Sequence, residues 1–229
     1  MERKYNRVLL KLSGEYWPAT LISASTMRPY ADIEQIVEVA GEVSHFDGRR
    51  RRNIIRGAQT TSISKPTTWD ARTVINSRLR DALERLGQPT RVRSAIEMRQ
   101  IAETVIRRRA TRHLEKGRIV IFAAGTGSPY FSTDTTAALR ASEIGADCLL
   151  KATKVDGIYD KDPAKFTGAV KMPHVSYMDA LQMQLKVMDA AAFSLCQENK
   201  IPIVVFDVLK KGNLRRLLID GENIGSMVS

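Results

Sequence analysis

The chain contains few cysteines and few aromatic residues. Only two of its 229 residues are cysteine, and 6% are aromatic. Cys148 and Cys196 lie far apart in apolar segments, so their spacing suits neither a metal site nor a redox pair, and we expect the buried free thiols of a cytosolic protein. No run of eighteen apolar residues is present, which argues against a membrane-spanning helix, and the N-terminus lacks the pattern of a signal peptide. These absences predict a cytoplasmic location.

Two familiar enzyme signatures are absent as well. The chain has no Gly-x-x-x-x-Gly-Lys-Ser/Thr motif, which excludes a P-loop enzyme, and it has no catalytic-loop signature of the protein kinases. It also contains no internal repeat, low-complexity tract or interdomain linker. We therefore expect one domain that spans residues 1–229.

Positive charge is concentrated in one segment of the chain. The formal net charge is +11, yet residues 49–112 alone contain seventeen basic and five acidic residues, a net of +12. Such a segment could bind nucleic acid or an anionic small molecule, or it could form a solvated arginine-rich surface. Trp69 is its only aromatic residue, so stacking platforms for single-stranded nucleic acid are scarce. Nucleic acid is therefore not an expected partner, and a nucleic-acid-binding regulator stays as the alternative hypothesis.

Short apolar runs alternate with segments of helical spacing. We predict strands at residues 7–12, 90–95, 119–124, 147–150 and 201–206. We predict helices at residues 31–43, 77–86, 97–114, 135–145, 177–195 (with a break near Gln184) and 214–218. This alternation predicts an α/β fold in which helices cover both faces of a mostly parallel sheet, and residues 225–228 could close the edge of that sheet.

The stretch at residues 117–134 contains the strongest local pattern. The apolar run at residues 119–124 has the length of a buried strand and ends abruptly in a glycine-rich turn at residues 125–129. The polar cluster at residues 132–134 then precedes a predicted helix with a good N-cap. Free N–H groups, hydroxyls and a helix dipole would converge there, which is an arrangement that suits a phosphate.

Two further polar clusters follow buried strands. Lys11, Ser13 and Gly14 lie at the end of the first predicted strand, and residues 151–162 follow the strand at residues 147–150. The carboxyl ends of parallel strands gather at one edge of an open sheet, where ligands bind. The three clusters together suit a nucleotide accompanied by Mg²⁺.

Three motifs occur in a specific order along the chain. They are Leu10-Lys11-Leu12-Ser13-Gly14-Glu15, Ala124-Gly125-Thr126-Gly127-Ser128-Pro129-Tyr130-Phe131-Ser132-Thr133-Asp134, and Leu150-Lys151-Ala152-Thr153-Lys154-Val155-Asp156-Gly157. With further matches at residues 94–98, 185–190 and 221–225, they resemble the bacterial UMP kinases, a family within the amino acid kinase superfamily. The resemblance implies a three-layer α/β/α sandwich with a mostly parallel central sheet. It also implies transfer of the γ-phosphate of ATP to UMP with Mg²⁺, which gives UDP and ADP in pyrimidine nucleotide biosynthesis.

The resemblance implies roles for individual residues. Lys11 would bridge the transferring phosphate and Asp134 would orient the cationic groups, so these two are the candidate catalytic residues. The candidate ATP-binding residues are Lys11, Leu12, Ser13, Gly14, Arg56, Thr153, Tyr159 and Asp162. The candidate UMP-binding residues are Asp70, Thr126, Gly127, Ser128, Pro129, Tyr130, Phe131, Ser132 and Thr133. No residue is assigned to a metal site of the protein itself.

Several assignments stay open. Asp134 could instead be a plain helix N-cap. Either Lys151 or Lys154 could supply further positive charge to the phosphates. Asp156 could be only a turn residue, and Asp189 lies in a matching motif but could serve packing or assembly alone.

The resemblance also implies an assembly and its effectors. Members of the family are typically hexamers that are activated by GTP and inhibited by UTP, so a homohexamer with these two effectors is implied here. Within the superfamily, a kinase of carbamate, acetylglutamate or aspartate is a further alternative. The loop at residues 126–134 favours a nucleotide as the phosphate acceptor.

Residues 48–57 depart from the family. The second strand of the family is apolar and ends in glycines before Asn, whereas the aligned stretch here contains the arginine run 49–52, although Asn53, Arg56 and Gly57 keep the pattern. Four consecutive arginines cannot occupy a central parallel strand, because each buried guanidinium would need a partner. Residues 16–80 as a whole match the family poorly, and they are either real divergence with weakened or lost activity or they contain local sequence errors, such as reading-frame slips in a GC-rich gene. We favour the error, because the flanking motifs match closely, and the accurate mass of the purified protein would decide.

Overall fold

The computed structural model describes residues 5–12, 54–58, 79–185 and 187–229, with only the backbone described for residues 54–58. The predicted helix at residues 31–43 and the arginine run at residues 49–52 lie outside these residues. The candidate site residues Ser13, Gly14 and Asp70 lie outside them as well.

Most strands of the described chain belong to one sheet. The strands are β1 (Val8–Leu12), β2 (Ile54–Ala58), β3 (Thr90–Ser94), β4 (Glu103–Thr104), β5 (Ile119–Ala123), β6 (Cys148–Thr153), β7 (Ile158–Tyr159), β8 (Lys171–Met172), β9 (His174–Val175), β10 (Ile203–Asp207) and β11 (Ser226–Val228). The sheet has the order β4-β3-β5-β2-β1-β6-β10-β11-β9. Among the described pairings of this sheet, only that of β10 with β11 is antiparallel. β7 and β8 form a separate antiparallel pair. The prediction of a mostly parallel sheet is confirmed.

Helices lie on both faces of the sheet. They are α1 (Arg107–Glu115), α2 (Thr133–Ile144), α3 (Tyr177–Gln182), α4 (Ala190–Glu198) and α5 (Asn213–Leu218), and residues 79–85 are also helical. Successive strand residues point to opposite faces, so Val8 and Leu10 of β1 belong to one buried cluster with the helix at 79–85 and α5. Leu9 belongs to the cluster on the other face with α1, α2, α3 and α4. The three-layer α/β/α sandwich is confirmed.

The helix predicted at residues 97–114 is wrong over its first half. Residues Glu103–Thr104 form β4 beside β3, and α1 begins only at Arg107. Arg93 of β3 explains the difference, because its buried guanidinium donates to the carbonyl oxygen of Thr104 (3.1 Å) and to the carboxylate of Glu103 (2.9 Å). A buried guanidinium needs such partners. Pairing of the chain along β3 supplies them, and it overrides the helical spacing of the sequence.

The C-terminal part agrees with one prediction and corrects another. The expected break near Gln184 is confirmed, since α3 ends at Gln182, Gln184 has a φ of +48° and α4 begins at Ala190. Residues 225–228 do not form the edge of the sheet, because β9 pairs along the outer side of β11.

Two expectations about the chain as a whole can be compared with the described residues. Cys148 and Cys196 are both buried and neither forms a disulfide, as predicted, and burial raises the pKa of the Cys196 thiol to about 12. Within the described ranges, no helix combines the length and the apolar character that crossing a membrane requires.

The strand beside β1 is formed by residues 54–58. In its pairing with β1, Gly57 lies opposite Lys11, and in its pairing with β5, Arg56 lies opposite Ile121. The described strand spans Ile54–Ala58, and the argument about the arginine run at residues 49–52 concerns residues outside the described part of the chain. The same register places Arg56 within the strand, opposite Leu10.

Candidate active site

Lys11 and Lys151 lie side by side near the carboxyl ends of two neighbouring strands. Lys11 of β1 has Lys151 of β6 as its register partner. Partners in a parallel pair point to the same face of the sheet. Leu9 and Leu149 lie two positions before these lysines and therefore point to the same face, and both belong to the buried cluster that contains α2. The two strands therefore direct both ammonium groups toward the layer that contains α2.

Asp134 bridges the two lysines. Its Oδ1 lies 3.0 Å from Nζ of Lys11, and its Oδ2 accepts a hydrogen bond of 2.8 Å from Nζ of Lys151. The contact with Lys11 is an ion pair without hydrogen-bond geometry. The exposed fractions of the three side chains are only 6% for Lys11, 12% for Lys151 and 17% for Asp134. Two cations share one carboxylate in a poorly solvated place, and the excess positive charge suits an anion such as a phosphate.

The structure answers the first of two questions that the sequence left open and bears on the second. Asp134 is not the N-cap of α2, because that position is taken by Ser132, whose Oγ accepts a hydrogen bond of 3.0 Å from the amide of Thr135. Asp134 lies instead in the first turn of α2, where a negative charge is favoured. Of the two candidate lysines, Lys151 joins the cluster with Asp134, whereas Lys154 is exposed.

The charged form of Lys151 depends on its neighbours. Burial is the main influence and lowers the pKa of its ammonium group below the ordinary value. The carboxylate of Asp134 opposes this effect, and the positive charge of Lys11 adds to it. A phosphate bound beside the two lysines would favour the charged form, because an opposite charge at short distance raises the pKa of an amine.

The turn after β5 has an unusual backbone. Ala124, Gly125 and Gly127 all have positive φ values, of 60°, 62° and 84°. A residue such as Ala124 is strained in this region, and strain of this kind is concentrated at binding sites. A Cβ on Gly127 would lie 3.3 Å from the carbonyl oxygen of Ala95, so this glycine allows a close approach to the segment after β3. The turn leads through residues 128–132 into α2, which carries Asp134.

Arg140 supports this turn, and the sequence analysis missed it. Its guanidinium donates to the carbonyl oxygen of Gly125 (3.2 Å) and to the carboxylate of Glu143 (2.6 Å), and it lies over the ring of Phe122 at 5.7 Å from the centroid. The side chain is 8% exposed. It therefore holds the carbonyl group of Gly125 toward α2. A single arginine within the otherwise small and apolar stretch at residues 137–141 was the available signal.

The loop between the turn and α2 is exposed at its tip. Tyr130 is 94% exposed and Phe131 is 55% exposed. Nearer the turn, Oγ1 of Thr126 accepts a hydrogen bond of 3.2 Å from the amide of Ser128, which orders the start of the loop. Two aromatic side chains at this position are available to contact a planar ring of a ligand.

Two amides at the start of α2, where the sequence predicts a phosphate site, are not available to a ligand. The amides of Thr135 and Thr136 already donate to the side chain and the carbonyl oxygen of Ser132. The carboxylate of Asp189 also lies there and accepts a hydrogen bond of 2.9 Å from Oγ1 of Thr135. Since this negative charge lies where the helix dipole would favour a phosphate, the lysine pair is the stronger anion-binding feature of the described site.

The third polar cluster follows β6. Thr153 is the last residue of β6, Tyr159 lies in β7, and Asp162 lies in the exposed turn before β8. Within the described chain, no hydrogen bond or ion pair joins these three residues to one another. Asp156 accepts hydrogen bonds from Lys171 (2.9 Å) and Tyr159 (2.7 Å), and these, in that order, are the main causes that lower its pKa. Asp156 is therefore more than a turn residue, because it ties β7 to β8.

The donor set of the site does not suit a metal held by the protein alone. Among the described residues, no group of three or more His, Cys, Asp and Glu side chains could hold a metal ion. Both carboxylate oxygens of Asp134 already face ammonium groups. A divalent cation such as Mg²⁺ requires several oxygen ligands. The Mg²⁺ that the resemblance implies would therefore have to be held mainly by the phosphates of a nucleotide.

Comparison with a family model identifies the group to which this fold and site belong. The model of the amino acid kinase family matches residues 11–207. The chain belongs to the amino acid kinase family. The match begins at Lys11 and ends at Asp207. It therefore includes Lys11, Asp134 and Lys151, which together are called the lysine cluster, and most strands of the sheet.

Solved structures show which members of the amino acid kinase family this chain is similar to. The UMP kinase from Ureaplasma parvum is 28% identical, has a TM-score of 0.84, and is covered over 100% of both chains. The UMP kinase from Bacillus anthracis is 28% identical, with a TM-score of 0.81, over 98% of this chain and 96% of that chain. The resemblance to bacterial UMP kinases is thereby confirmed. The uridylate kinase from Archaeoglobus fulgidus shares the fold, at 22% identity and a TM-score of 0.62, over 97% of this chain and 99% of that chain.

Proposed function

We propose that this amino acid kinase family member is a UMP kinase, which transfers the γ-phosphate of ATP to UMP and produces ADP and UDP for pyrimidine nucleotide biosynthesis. The observation that carries the proposal is the cluster of Lys11, Asp134 and Lys151 at the carboxyl ends of the central strands. This cluster lies in a chain that matches two UMP kinases over nearly its whole length.

The chemistry of the proposed reaction is suited to such a cluster. An oxygen of the UMP phosphate attacks the γ-phosphorus of ATP, and the bond from that phosphorus to the bridging oxygen of ADP breaks, with the electron pair remaining on ADP. The transfer needs charge neutralisation and in-line alignment more than covalent catalysis. Lys11 and Lys151 would neutralise the transferring phosphoryl group, and Asp134 would hold the two ammonium groups in place. Mg²⁺ bound to ATP would neutralise further phosphate charge.

The two substrates are assigned to different parts of the sheet edge. UMP would bind at the loop that directly precedes Asp134, and the residues proposed for it are Asp70, Thr126, Gly127, Ser128, Pro129, Tyr130, Phe131, Ser132 and Thr133. ATP would bind toward β1 and β6, since Thr153 follows Lys151 by two positions in β6. The residues proposed for ATP are Lys11, Leu12, Ser13, Gly14, Arg56, Thr153, Tyr159 and Asp162.

The setting of the enzyme is proposed from the family resemblance. We propose a cytoplasmic, single-domain enzyme that forms a homohexamer, with GTP as activator and UTP as inhibitor. Light scattering of the purified protein would measure the oligomer. Initial rates with each effector at subsaturating UMP would test the regulation.

The proposed reaction can be tested by ADP release. Purified protein is mixed with ATP and Mg²⁺ in a coupled assay, and UMP is compared with CMP and AMP as acceptors. We expect turnover that is selective for UMP. Equal turnover with all three acceptors, or no turnover from a protein shown to be folded by circular dichroism, would contradict the proposal.

A further inference from the structure

One carboxylate joins the starts of two helices that are distant in sequence. Asp189 is the N-cap of α4, and its Oδ1 accepts a hydrogen bond of 2.8 Å from the amide of Ala192. The same carboxylate accepts hydrogen bonds from Oγ of Ser132 and from Oγ1 of Thr135, the latter at 2.9 Å. Ser132 is itself the N-cap of α2. The end of the exposed loop is therefore fastened to α4 through Asp189.

The environment of Asp189 favours its charged form. Burial tends to raise the pKa of this carboxyl group, but the hydrogen bonds from Ser132, the amide of Ala192 and Thr135 outweigh burial, and the pKa lies below its ordinary value. The positive ends of two helix dipoles also favour a negative charge. Because Ser132 gives its single hydroxyl proton to Asp189, that hydroxyl can meet a ligand only as an acceptor.

The chain just before Asp189 also contacts the lysine cluster. The carbonyl oxygen of Val187 accepts a hydrogen bond from Nζ of Lys151, which pairs with Asp134 as well. Met188 lies between the two contacts and is buried in the cluster of the α2 face. Residues 187–189, called the brace below, therefore connect the phosphate-site lysine to the base of the loop.

We infer that the brace positions the acceptor loop relative to Lys151, with Asp189 as a positioning residue for the phosphate acceptor. The inference rests on the proposed function, since the acceptor is UMP there. The loop is exposed at its tip, as Tyr130 and Phe131 show, so its placement depends on how its base is anchored. Rates of group transfer are sensitive to misplacement of the reacting groups by about 1 Å. Because the brace contacts both the base of the loop and Lys151, it fixes the distance between the loop and the ammonium group of Lys151.

The first test replaces Asp189 with asparagine. Asn retains the size of the side chain and is a good N-cap, so α4 keeps its cap, but one acceptor oxygen becomes an NH₂ donor and two hydroxyls can no longer both be accepted. In Asp189→Asn we expect the kcat/KM for UMP to fall by about 10- to 100-fold, with the KM for ATP changed by less than about twofold. An equal rise in both KM values would overturn the positioning role.

Two variants sharpen this test. Ser176→Ala removes the N-cap of α3, where Ser176 accepts from the amide of Asp179 at 3.0 Å, and should leave both KM values at wild-type levels. Thr135→Val removes one of the two hydroxyl donors with little change in size. If Thr135 and Asp189 act through one interaction, the double variant should lose much less than the product of the two single losses. Fully multiplicative losses would contradict a shared role.

A measurement without substrate separates the brace from the proposed reaction. Amide hydrogen exchange at residues 125–135 should be faster in Asp189→Asn than in wild type or Ser176→Ala, because the base of the loop is released. Unchanged exchange in this segment overturns the brace even if wild-type protein phosphorylates UMP. Faster exchange in a protein whose wild type does not phosphorylate UMP supports the brace and refutes the proposed function instead.

Discussion

Replacement of Asp134 by asparagine removes the negative charge that holds two buried lysines together. In the wild type, Lys11 and Lys151 lie 3.0 Å and 2.8 Å from the two carboxylate oxygens. In Asp134→Asn, two ammonium groups would remain side by side with a neutral amide between them. Both would be partly desolvated, since the lysine side chains are only 6% and 12% exposed.

The magnitude follows from the burial of the cluster. Loss of one partner from a buried ion pair costs about 3–5 kcal/mol, and we take the lower end because Asp134 is 17% exposed. If about 3 kcal/mol is lost from stabilisation of the transition state, kcat falls by about a hundredfold, since about 1.36 kcal/mol corresponds to tenfold. The free energy of unfolding should fall by a similar amount while the chain still folds.

The assay compares initial rates of ADP formation from pH 6 to 10 for wild type, Asp134→Asn and Asp179→Asn. Asp179 is the matched control, because it is also an acidic residue in the first turn of a helix, α3. The Asp134 carboxylate opposes the lowering of the pKa of Lys151, so its loss should also move the alkaline decline of activity to lower pH. A wild-type kcat with an unchanged pH profile in Asp134→Asn would refute the role of the cluster.

Three further predictions concern the same site. Lys11→Ala should reduce kcat by at least about a hundredfold, whereas the exposed Lys154 should tolerate alanine with less than about a threefold change; equal losses would contradict the assignment. Because the pKa of Lys151 lies below the ordinary value, kcat/KM should decline with rising pH before a free lysine would titrate, and a flat profile up to pH 10 would contradict this. Gly127→Ala should lower the free energy of unfolding by about 1–3 kcal/mol, because the φ of Gly127 is +84°. Gly168→Ala is the control, since no atom lies within 4 Å of the added Cβ, and thermal denaturation should show little change in its free energy of unfolding.

Much of the sheet could be predicted from local sequence. The runs that form β1, β5 and β10 are apolar except for Lys11 and the terminal Asp207, and a parallel strand covered on both faces requires such runs. The meeting of Lys11 and Asp134 followed from the rule that the carboxyl ends of parallel strands share one edge. The glycine turn after β5 was recognisable because its conformation needs residues that tolerate positive φ.

The features that the sequence did not predict depend on tertiary partners. The segment that forms β4 was predicted to be helical from its spacing. The prediction was wrong because the pairing of β4 is determined by the buried Arg93 of β3, which lies outside the segment. The contact of Lys151 with the carbonyl oxygen of Val187 involves a backbone atom, which leaves no mark in the sequence. Asp189 stood in a matching motif, yet its partners Ser132 and Thr135 are more than fifty residues away and could be identified only from the fold.

Phosphorylation of UMP at the lysine cluster can be measured directly. Phosphorus NMR of a mixture of ATP, Mg²⁺ and UMP would follow the products directly, with wild type and Lys11→Ala compared at equal concentration. We expect the resonances of UDP and ADP to grow together in wild type and to be nearly absent with Lys11→Ala. Growth of ADP and inorganic phosphate without UDP, or equal formation of UDP by both proteins, would contradict this expectation.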